Sequence, residues 1–167
     1  MNTDIVLRPF TRAEYHDFYE GYEPDPAMDP RPYRYDYAHA DRCFDAEQAR
    51  ASWYPTFGVF DEDDCCIGCL SLKRIDREAH RCEIGIILQH DGMKGLGLGT
   101  KAMRSGIRLA QEQYGVRTII AETAACNPRM QHVLDKLGFR LIERIPYGFD
   151  FVDHWEDKLR YVLEVEA

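Results

Sequence analysis

The stretch Lys94-Gly95-Leu96-Gly97-Leu98-Gly99-Thr100 contains the residues whose types and spacing point most directly to chemistry. Three glycines at alternate positions let the backbone turn tightly and approach a ligand without Cβ clashes. The N–H groups of such a turn, at the positive end of a following helix, favour an anion such as a diphosphate. The sequence therefore predicts a diphosphate-binding turn at this point.

The charge around this turn supports the prediction. The whole chain has a net charge of -8, yet no acidic residue occurs between Gly92 and Gln111. The basic residues of this stretch are Lys94, Lys101, Arg104 and Arg108. The alternative is a glycine loop that only connects a strand to a helix, beside a solvated basic face.

Two other nucleotide-binding motifs fit this stretch less well. A dinucleotide fingerprint requires G-x-G-x-x-G, whereas the spacing here is G-x-G-x-G. A Walker loop requires Gly-Lys-Ser/Thr, whereas this chain has Gly99-Thr100-Lys101. Neither motif is satisfied.

Length and composition indicate one domain over residues 1–167. A chain of 167 residues, 45% of them hydrophobic, can build one substantial core. The net charge of -8 opposes binding to nucleic acid or to anionic lipid. Because no apolar run approaches the roughly 18 residues of a membrane span and the start does not resemble a signal peptide, we expect a cytoplasmic protein.

The six cysteines are expected to be reduced thiols, because a chain of this size does not need disulfides. Cys65, Cys66 and Cys69 are closely spaced, but no second pair of cysteines or histidines completes a four-ligand set. We therefore expect no metal site and interpret these three residues as part of a buried strand.

Hydrophobic periodicity and capping signals predict seven strands and four helices. The predicted strands span residues 5–10, 57–60, 65–74, 82–89, 118–123, 140–147 and 158–165. The predicted helices run from a Thr11 cap to about Glu20, from an Asp45 cap to about Tyr54, from Leu98 to Tyr114, and from Pro128 to a stop at Gly138. Residues 21–42, rich in proline, tyrosine and aspartate, are predicted to be a loop. This order is typical of a mixed sheet with helices on its faces.

Two motifs in this order resemble those of the GNAT superfamily of N-acetyltransferases. Residues 94–99 resemble its acyl-CoA loop, Q/R-x-x-G-x-G/A, which lies between the fourth strand and the third helix. Residues 127–139, which begin with Asn127 and end with Lys136-Leu137-Gly138-Phe139, resemble the signature that follows its fifth strand. The second motif is most similar to the Rim-type branch, which acetylates the N-termini of ribosomal proteins.

The resemblance implies the GNAT fold, a mixed α/β fold. Its central twisted sheet of about seven strands is largely antiparallel, carries four helices, and is splayed between strands 4 and 5. It also implies acetyl-CoA as co-substrate and no metal, with the pantetheine arm in the gap between those strands. The implied cofactor contacts are Ile87, Leu88, Lys94, Gly95, Leu96, Gly97, Leu98, Gly99, Thr100, Asn127 and Lys136.

The implied reaction is direct attack of a primary amine on the thioester. An amine with a pKa of about 10 must first lose a proton, so a base or a water chain is needed. Glu83 is the candidate base; the alternative is a strand-end glutamate paired with a surface cation. Tyr147 and Tyr161, on the final two strands, are the candidate acids; the alternative is that they are packing residues. Leu134 stands where many members have the tyrosine that protonates the leaving thiolate, and Lys94 stands where glutamine or arginine is usual.

The acceptor is less well defined by the sequence. The acidic segments 21–42 and 150–157 are expected to flank it, which favours a cationic small molecule or a peptide N-terminus. The missing tyrosine at position 134 leaves open a non-catalytic acyl-CoA sensor with the same fold. A structural protein without a ligand would leave the glycines and the basic patch unexplained. The oligomeric state stays open, with a homodimer as one alternative.

Overall fold

Seven strands form one sheet in the computed structural model, which describes residues 4–166. The strands are β1 Val6–Arg8, β2 Thr56–Phe60, β3 Cys66–Asp76, β4 Arg81–Leu88, β5 Thr118–Ala124, β6 Arg140–Asp150 and β7 Trp155–Glu164. The helices are α1 Arg12–Glu20, α2 Tyr37–Ala49, α3 Leu98–Tyr114 and α4 Pro128–Lys136. The predicted order of strands and helices is confirmed.

The sheet is mostly antiparallel and divides where its two parallel strands meet. Its strand order is β1-β2-β3-β4-β5-β7-β6, and β4–β5 is the parallel pair. These two strands are in register at Arg81↔Thr118, Cys82↔Ile119 and Glu83↔Ile120. Beyond Glu83 they diverge, although β4 continues to Leu88 and β5 to Ala124. The predicted splay between strands 4 and 5 is therefore confirmed.

Alternating side chains of the sheet pack against different helices. Leu70 and Leu72 of β3 belong to the main core, together with Met103 of α3 and Leu134 of α4. Cys69, directly before Leu70, points to the other face and belongs to a second cluster with side chains of α1 and α2. The helices thus cover the two faces of the sheet in pairs, as the period of two in a strand requires.

Helix α3 lies very close to the sheet. A Cβ atom added to Gly106 would come within 2.7 Å of Leu70 Cδ1 and 3.0 Å of Ile84 Cδ1. The helix therefore rests directly on β3 and β4, and its first turn follows the end of β4. This contact fixes the position of the glycine turn relative to the gap in the sheet.

The predicted start and end of α2 are wrong. The helix begins at Tyr37 and ends at Ala49, and Asp36 is its N-cap, accepting a hydrogen bond from the His39 amide at 2.6 Å. Asp45 lies within the helix and forms a salt bridge with Arg12 at 2.6 Å. The end of the predicted loop is helical because residues there pack onto α1 and the sheet. In contrast, the capping box of Thr11 and Glu14 and both ends of α3 are confirmed.

Candidate functional site

A cavity of about 1050 Å³ lies where β4 and β5 part. It is lined by the glycine turn and the start of α3, by the free ends of β4 and β5, by α4, and by residues of α1, α2 and the segment between them. Most of the residues that the sequence singled out surround this one cavity.

The glycine turn presents backbone groups to the cavity. Gly95 and Gly97 have positive φ values of 77° and 76°, a conformation that side-chain-bearing residues rarely adopt. A Cβ atom at Gly95, Gly97 or Gly99 would meet no atom within 4 Å, so the space in front of the turn is open. A ligand can therefore approach this backbone closely.

The start of α3 differs from the starts of the other three described helices. Thr11, Asp36 and Asn127 cap α1, α2 and α4 with their side chains, whereas α3 starts after Gly97 with no side-chain cap. The first N–H groups of a helix have no partner within the helix and lie at the positive end of its dipole. This end of α3 is suited to bind an anion, and Leu98 and Thr100 of its first turn line the cavity.

The divergence of β4 and β5 leaves one edge of β4 without a strand partner. Its other edge stays paired to β3 as far as Leu88, which lies opposite Gly68. Ile87 and Leu88, the predicted contacts of an extended ligand arm, both line the cavity. An extended chain placed between the strands could bond to β4 as an additional strand does.

Asn127 and Lys136 lie across the cavity on α4. Asn127 Oδ1 accepts a hydrogen bond from the Met130 amide at 3.1 Å and so caps α4. Lys136 is in the last turn of the same helix, and both residues line the cavity. Leu96, in contrast, is 67% exposed and lies outside the cavity lining.

Lys94 forms two ion pairs beside the glycine turn. Its Nζ lies 2.8 Å from Asp25 Oδ2 and 2.8 Å from Asp91 Oδ1, and Arg129 also reaches Asp91 at 3.0 Å. The hydrogen bonds from Lys94 lower the pKa of both carboxyl groups. An anionic ligand at this turn therefore competes with two carboxylates for the Lys94 ammonium. The Asp25 contact spans 69 positions and carries no local sequence signal.

Glu83 lies at the last paired position before the strands part. Its side chain is 15% exposed, lines the cavity, and is loosely paired with Lys73 at 3.6 Å and Arg74 at 3.7 Å. Glu83 therefore lies in the cavity, where a base would have to be. It also forms the ion pairs that the alternative interpretation expects.

Glu122 lines the cavity from β5. Its carboxylate is held by Lys158 at 3.1 Å and Arg160 at 2.8 Å. Burial raises its pKa, but the hydrogen bonds from Arg160 and Lys158 outweigh burial and leave the pKa below its ordinary value. This lowered pKa makes the Glu122 carboxylate a poor proton acceptor.

The nominated tyrosines lie away from the cavity. Tyr147 is 72% exposed, has a φ of 53° within the irregular stretch of β6, and donates its N–H to Asp157 Oδ1 at 3.2 Å. Tyr161 is buried in the main core, as is Leu134. None of residues 150–157 lines the cavity, although the flanking Phe149 and Lys158 do.

Glu47 is a cavity residue that the sequence did not single out. It lies near the end of α2, and its side chain is 15% exposed. The Tyr15 hydroxyl donates a hydrogen bond to its carboxylate at 3.0 Å. Burial raises the pKa of this carboxyl group above its ordinary value. No local signal marks this residue, because it reaches the cavity only through the packing of α2 on α1 and the sheet.

Within residues 4–166, no cluster of three or more histidine, cysteine, aspartate or glutamate residues is arranged to hold a metal ion. The six cysteines are all free thiols. No helix in the described range has the length and apolar character needed to cross a membrane.

Residues 4–140 match the model of the acetyltransferase (GNAT) domain, so the chain belongs to this family. No curated protein matches the chain in sequence. The match to the family model includes the glycine turn, α3, β5 and the whole of α4. It does not resolve the Rim-type branch within the family.

Solved structures of acetyltransferases share this fold. A chimera of the spermidine N-acetyltransferase SpeG from Vibrio cholerae and hSSAT has a TM-score of 0.85 at 18% identity, covering 96% of this chain and 95% of that one. A probable acetyltransferase has a TM-score of 0.82 at 18% identity, with coverage of 96% and 92%. A dodecameric spermidine N-acetyltransferase from Vibrio cholerae has a TM-score of 0.77 at 17% identity, with coverage of 96% and 93%. At these identities the likeness establishes the fold.

Proposed function

We propose that this protein is an acetyl-CoA-dependent N-acetyltransferase that acts on a primary amine of a cationic acceptor. The observation that carries the proposal is the α3 start without a side-chain cap, which opens through three glycines onto the gap between β4 and β5. In a GNAT chain this combination offers one site for a diphosphate and one for an extended arm.

The residues present fit coenzyme A. The open space in front of Gly95, Gly97 and Gly99 admits a diphosphate, which the amides of the turn from Lys94 to Thr100 would hold. The free edge of β4 at Ile87 and Leu88 would bond the pantetheine arm, with Asn127 and Lys136 on the opposite wall. When bound, acetyl-CoA supplies the thioester that the amine attacks.

Glu83 is proposed to accept the proton of the acceptor amine, directly or through water. It lies in the cavity where the strands part, which is where an arm entering from the glycine turn would end. Its loose ion pairs, at 3.6 Å and 3.7 Å, can reorganise without breaking a close hydrogen bond. We propose no role for Tyr147 in the reaction, because it is outside the cavity.

The class of acceptor is also a proposal. Solved structures with this fold include spermidine N-acetyltransferases, and carboxylates on several elements line the cavity. These observations support a small cationic amine. The motif on α4, which resembles the Rim-type branch, supports a peptide N-terminus instead, so both acceptors belong in the test.

The oligomeric state and the location of the protein are also proposals. A dodecameric spermidine N-acetyltransferase is among the similar structures, and β6 is an edge strand with Leu141 and Ile142 exposed. We propose that the protein self-associates through this edge, which light scattering would test. A cytoplasmic location is proposed because the cysteines are free thiols.

Two measurements test the proposed function. Calorimetry with acetyl-CoA should show binding, and a thiol-release assay with polyamines, peptides and neutral amino sugars should show turnover with a cationic amine or a peptide. Binding without thiol release from any amine would indicate a sensor instead. Turnover confined to neutral amino sugars would refute the cationic acceptor.

A further inference from the structure

Glu47 shares the cavity with Glu83 but lies over a different part of the sheet. Thr56 on β2 interacts with its carboxylate, and Thr56 lies opposite Ser71, which in turn lies opposite Gly85 of β4. Neighbouring strands are about 4.8 Å apart, so β2 is roughly 10 Å from β4. Glu47 is therefore separated by about two strand spacings from the gap where acetyl transfer is proposed.

The carboxylate of Glu47 has little positive charge close to it. Its ion-pair partner is Arg50, whose Nη2 lies 3.9 Å from Glu47 Oε1, beyond hydrogen-bonding distance. The Arg50 guanidinium instead lies 4.3 Å from the centre of the Tyr54 ring. In contrast, Asp25 and Glu122 have cationic nitrogens at 2.8 Å. Burial raises the pKa of Glu47, which agrees with the lack of a hydrogen-bonded cation, since burial without a close cation disfavours the charged form.

Aromatic rings complete the surroundings of this carboxylate. Tyr19 lines the same cavity as Glu47, and the ring of Tyr15, whose hydroxyl donates to Glu47, lies 4.6 Å from that of Tyr19. The faces of aromatic rings attract ammonium groups. A partly buried carboxylate beside the rings of Tyr15 and Tyr19 is a suitable site for an ammonium ion.

We propose that Glu47 binds a second ammonium group of the acceptor, at the opposite end of the cavity from the amine that is acetylated. This rests on the proposed acetyl transfer. The acceptor is then a linear diamine or polyamine whose two cationic ends are joined by a flexible chain. Glu47 sets the preference for this class, and Glu83 serves the reacting end.

Glu47→Gln tests the proposal, because glutamine keeps an oxygen for the Tyr15 hydroxyl and removes the charge. The KM for putrescine or spermidine should rise about tenfold or more, whereas the KM for n-butylamine, which has no second ammonium group, should change far less. Glu47→Asp keeps the charge and should retain part of the preference. Glu20→Gln, an exposed position of α1 outside the cavity lining, is the matched control.

Two results would overturn the proposal while leaving acetyl transfer intact. One is a wild-type protein that uses n-butylamine as well as putrescine; the other is an equal effect of Glu47→Gln on both amines. Failure of acetyl transfer itself would appear as no thiol release with any amine. In that case calorimetry of putrescine with the CoA-loaded protein still tests the role of Glu47. If the proposal is correct, Glu47→Gln must bind putrescine more weakly than the wild type does. Thermal melts establish that each variant is folded.

Discussion

The ammonium group of Lys94, beside the glycine turn, lies 2.8 Å from the carboxylate of Asp25, which belongs to the segment between α1 and α2. Part of the positive charge that would meet a diphosphate is thus already neutralised by a carboxylate from a distant part of the chain. Asp91 neutralises it further from the other side.

Removal of this competing charge should strengthen coenzyme binding. In Asp25→Asn, Lys94 loses one of two carboxylate partners and the diphosphate loses a neighbouring negative charge, so the Kd for CoA should fall about fivefold. Calorimetry at low and high salt measures the Kd, and the difference in Kd between Asp25→Asn and the wild type should shrink as the salt concentration rises. Asp63→Asn, in the exposed turn between β2 and β3, should leave the Kd as it is. A weaker affinity in Asp25→Asn would show that Asp25 supports the site.

Gly99→Ala should change stability and coenzyme affinity in opposite directions. Gly99 lies in the first turn of α3 without a positive φ, and an added Cβ would meet nothing within 4 Å. Alanine favours a helix over glycine by up to about 1 kcal/mol, so the protein should melt at the same or a higher temperature. The methyl group would occupy the space proposed for the diphosphate, so the Kd for CoA should rise at least about tenfold. Unchanged affinity in a folded variant would contradict the proposed position of the coenzyme.

Leu134→Tyr should not create a general acid. The leucine is fully buried in the main core rather than exposed to the cavity. A larger, polar side chain there should lower the free energy of unfolding by about 1 to 3 kcal/mol. Denaturant titration measures the loss, and kcat for the best amine should not increase. An increase in kcat would mean that the tyrosine can reach the cavity.

Glu83→Gln should reduce kcat for the best amine about a hundredfold at neutral pH, because the proton acceptor is removed. Its KM should change much less, since glutamine keeps the shape of the side chain. Steady-state thiol release measures both constants. Glu78→Gln, in the exposed turn between β3 and β4, is the control. A kcat close to wild type would exclude Glu83 as the base.

Glu14 should contribute to stability in a pH-dependent way. The hydrogen bond from Arg8, at 2.7 Å, lowers the pKa of Glu14 from 4.5 to about 2. Because the folded-state pKa is the lower one, the contribution is complete above pH 4.5 and is lost as the pH falls toward 2. Glu14→Gln, which can keep the capping box, should cost about 1 kcal/mol of unfolding free energy at neutral pH and nothing at the acid end. A difference independent of pH would contradict the ion pair.

The parts of the fold that the sequence predicted well are those with local signals. The period of apolar residues in α3, bounded by glycines, gave both ends of that helix. The start of α2 was missed because the prolines before it suggested a longer loop, and because Ala40 and Phe44 reveal a buried helix face only once α1 is in place. Tertiary packing decided this boundary, which local capping signals had placed at Asp45.

The candidate site shows the same division. The glycine turn and Asn127 were found from motifs, and both lie at the cavity. Asp25 and Glu47 were not found, since they reach the cavity through the path of the chain between β1 and β2. Tyr147 was nominated from its strand position, but the irregular pairing of β6 directs the residue elsewhere.

The two halves of the sheet are joined by only three residue pairs of β4 and β5 in the described range. An extended ligand arm in the gap would form some of the backbone hydrogen bonds that β4 and β5 do not form with each other. Its binding free energy would then add to the free energy of unfolding of the protein. The melting temperature of such a protein rises with ligand concentration by mass action. The resistance of this protein to unfolding in a cell would then follow the supply of the proposed coenzyme.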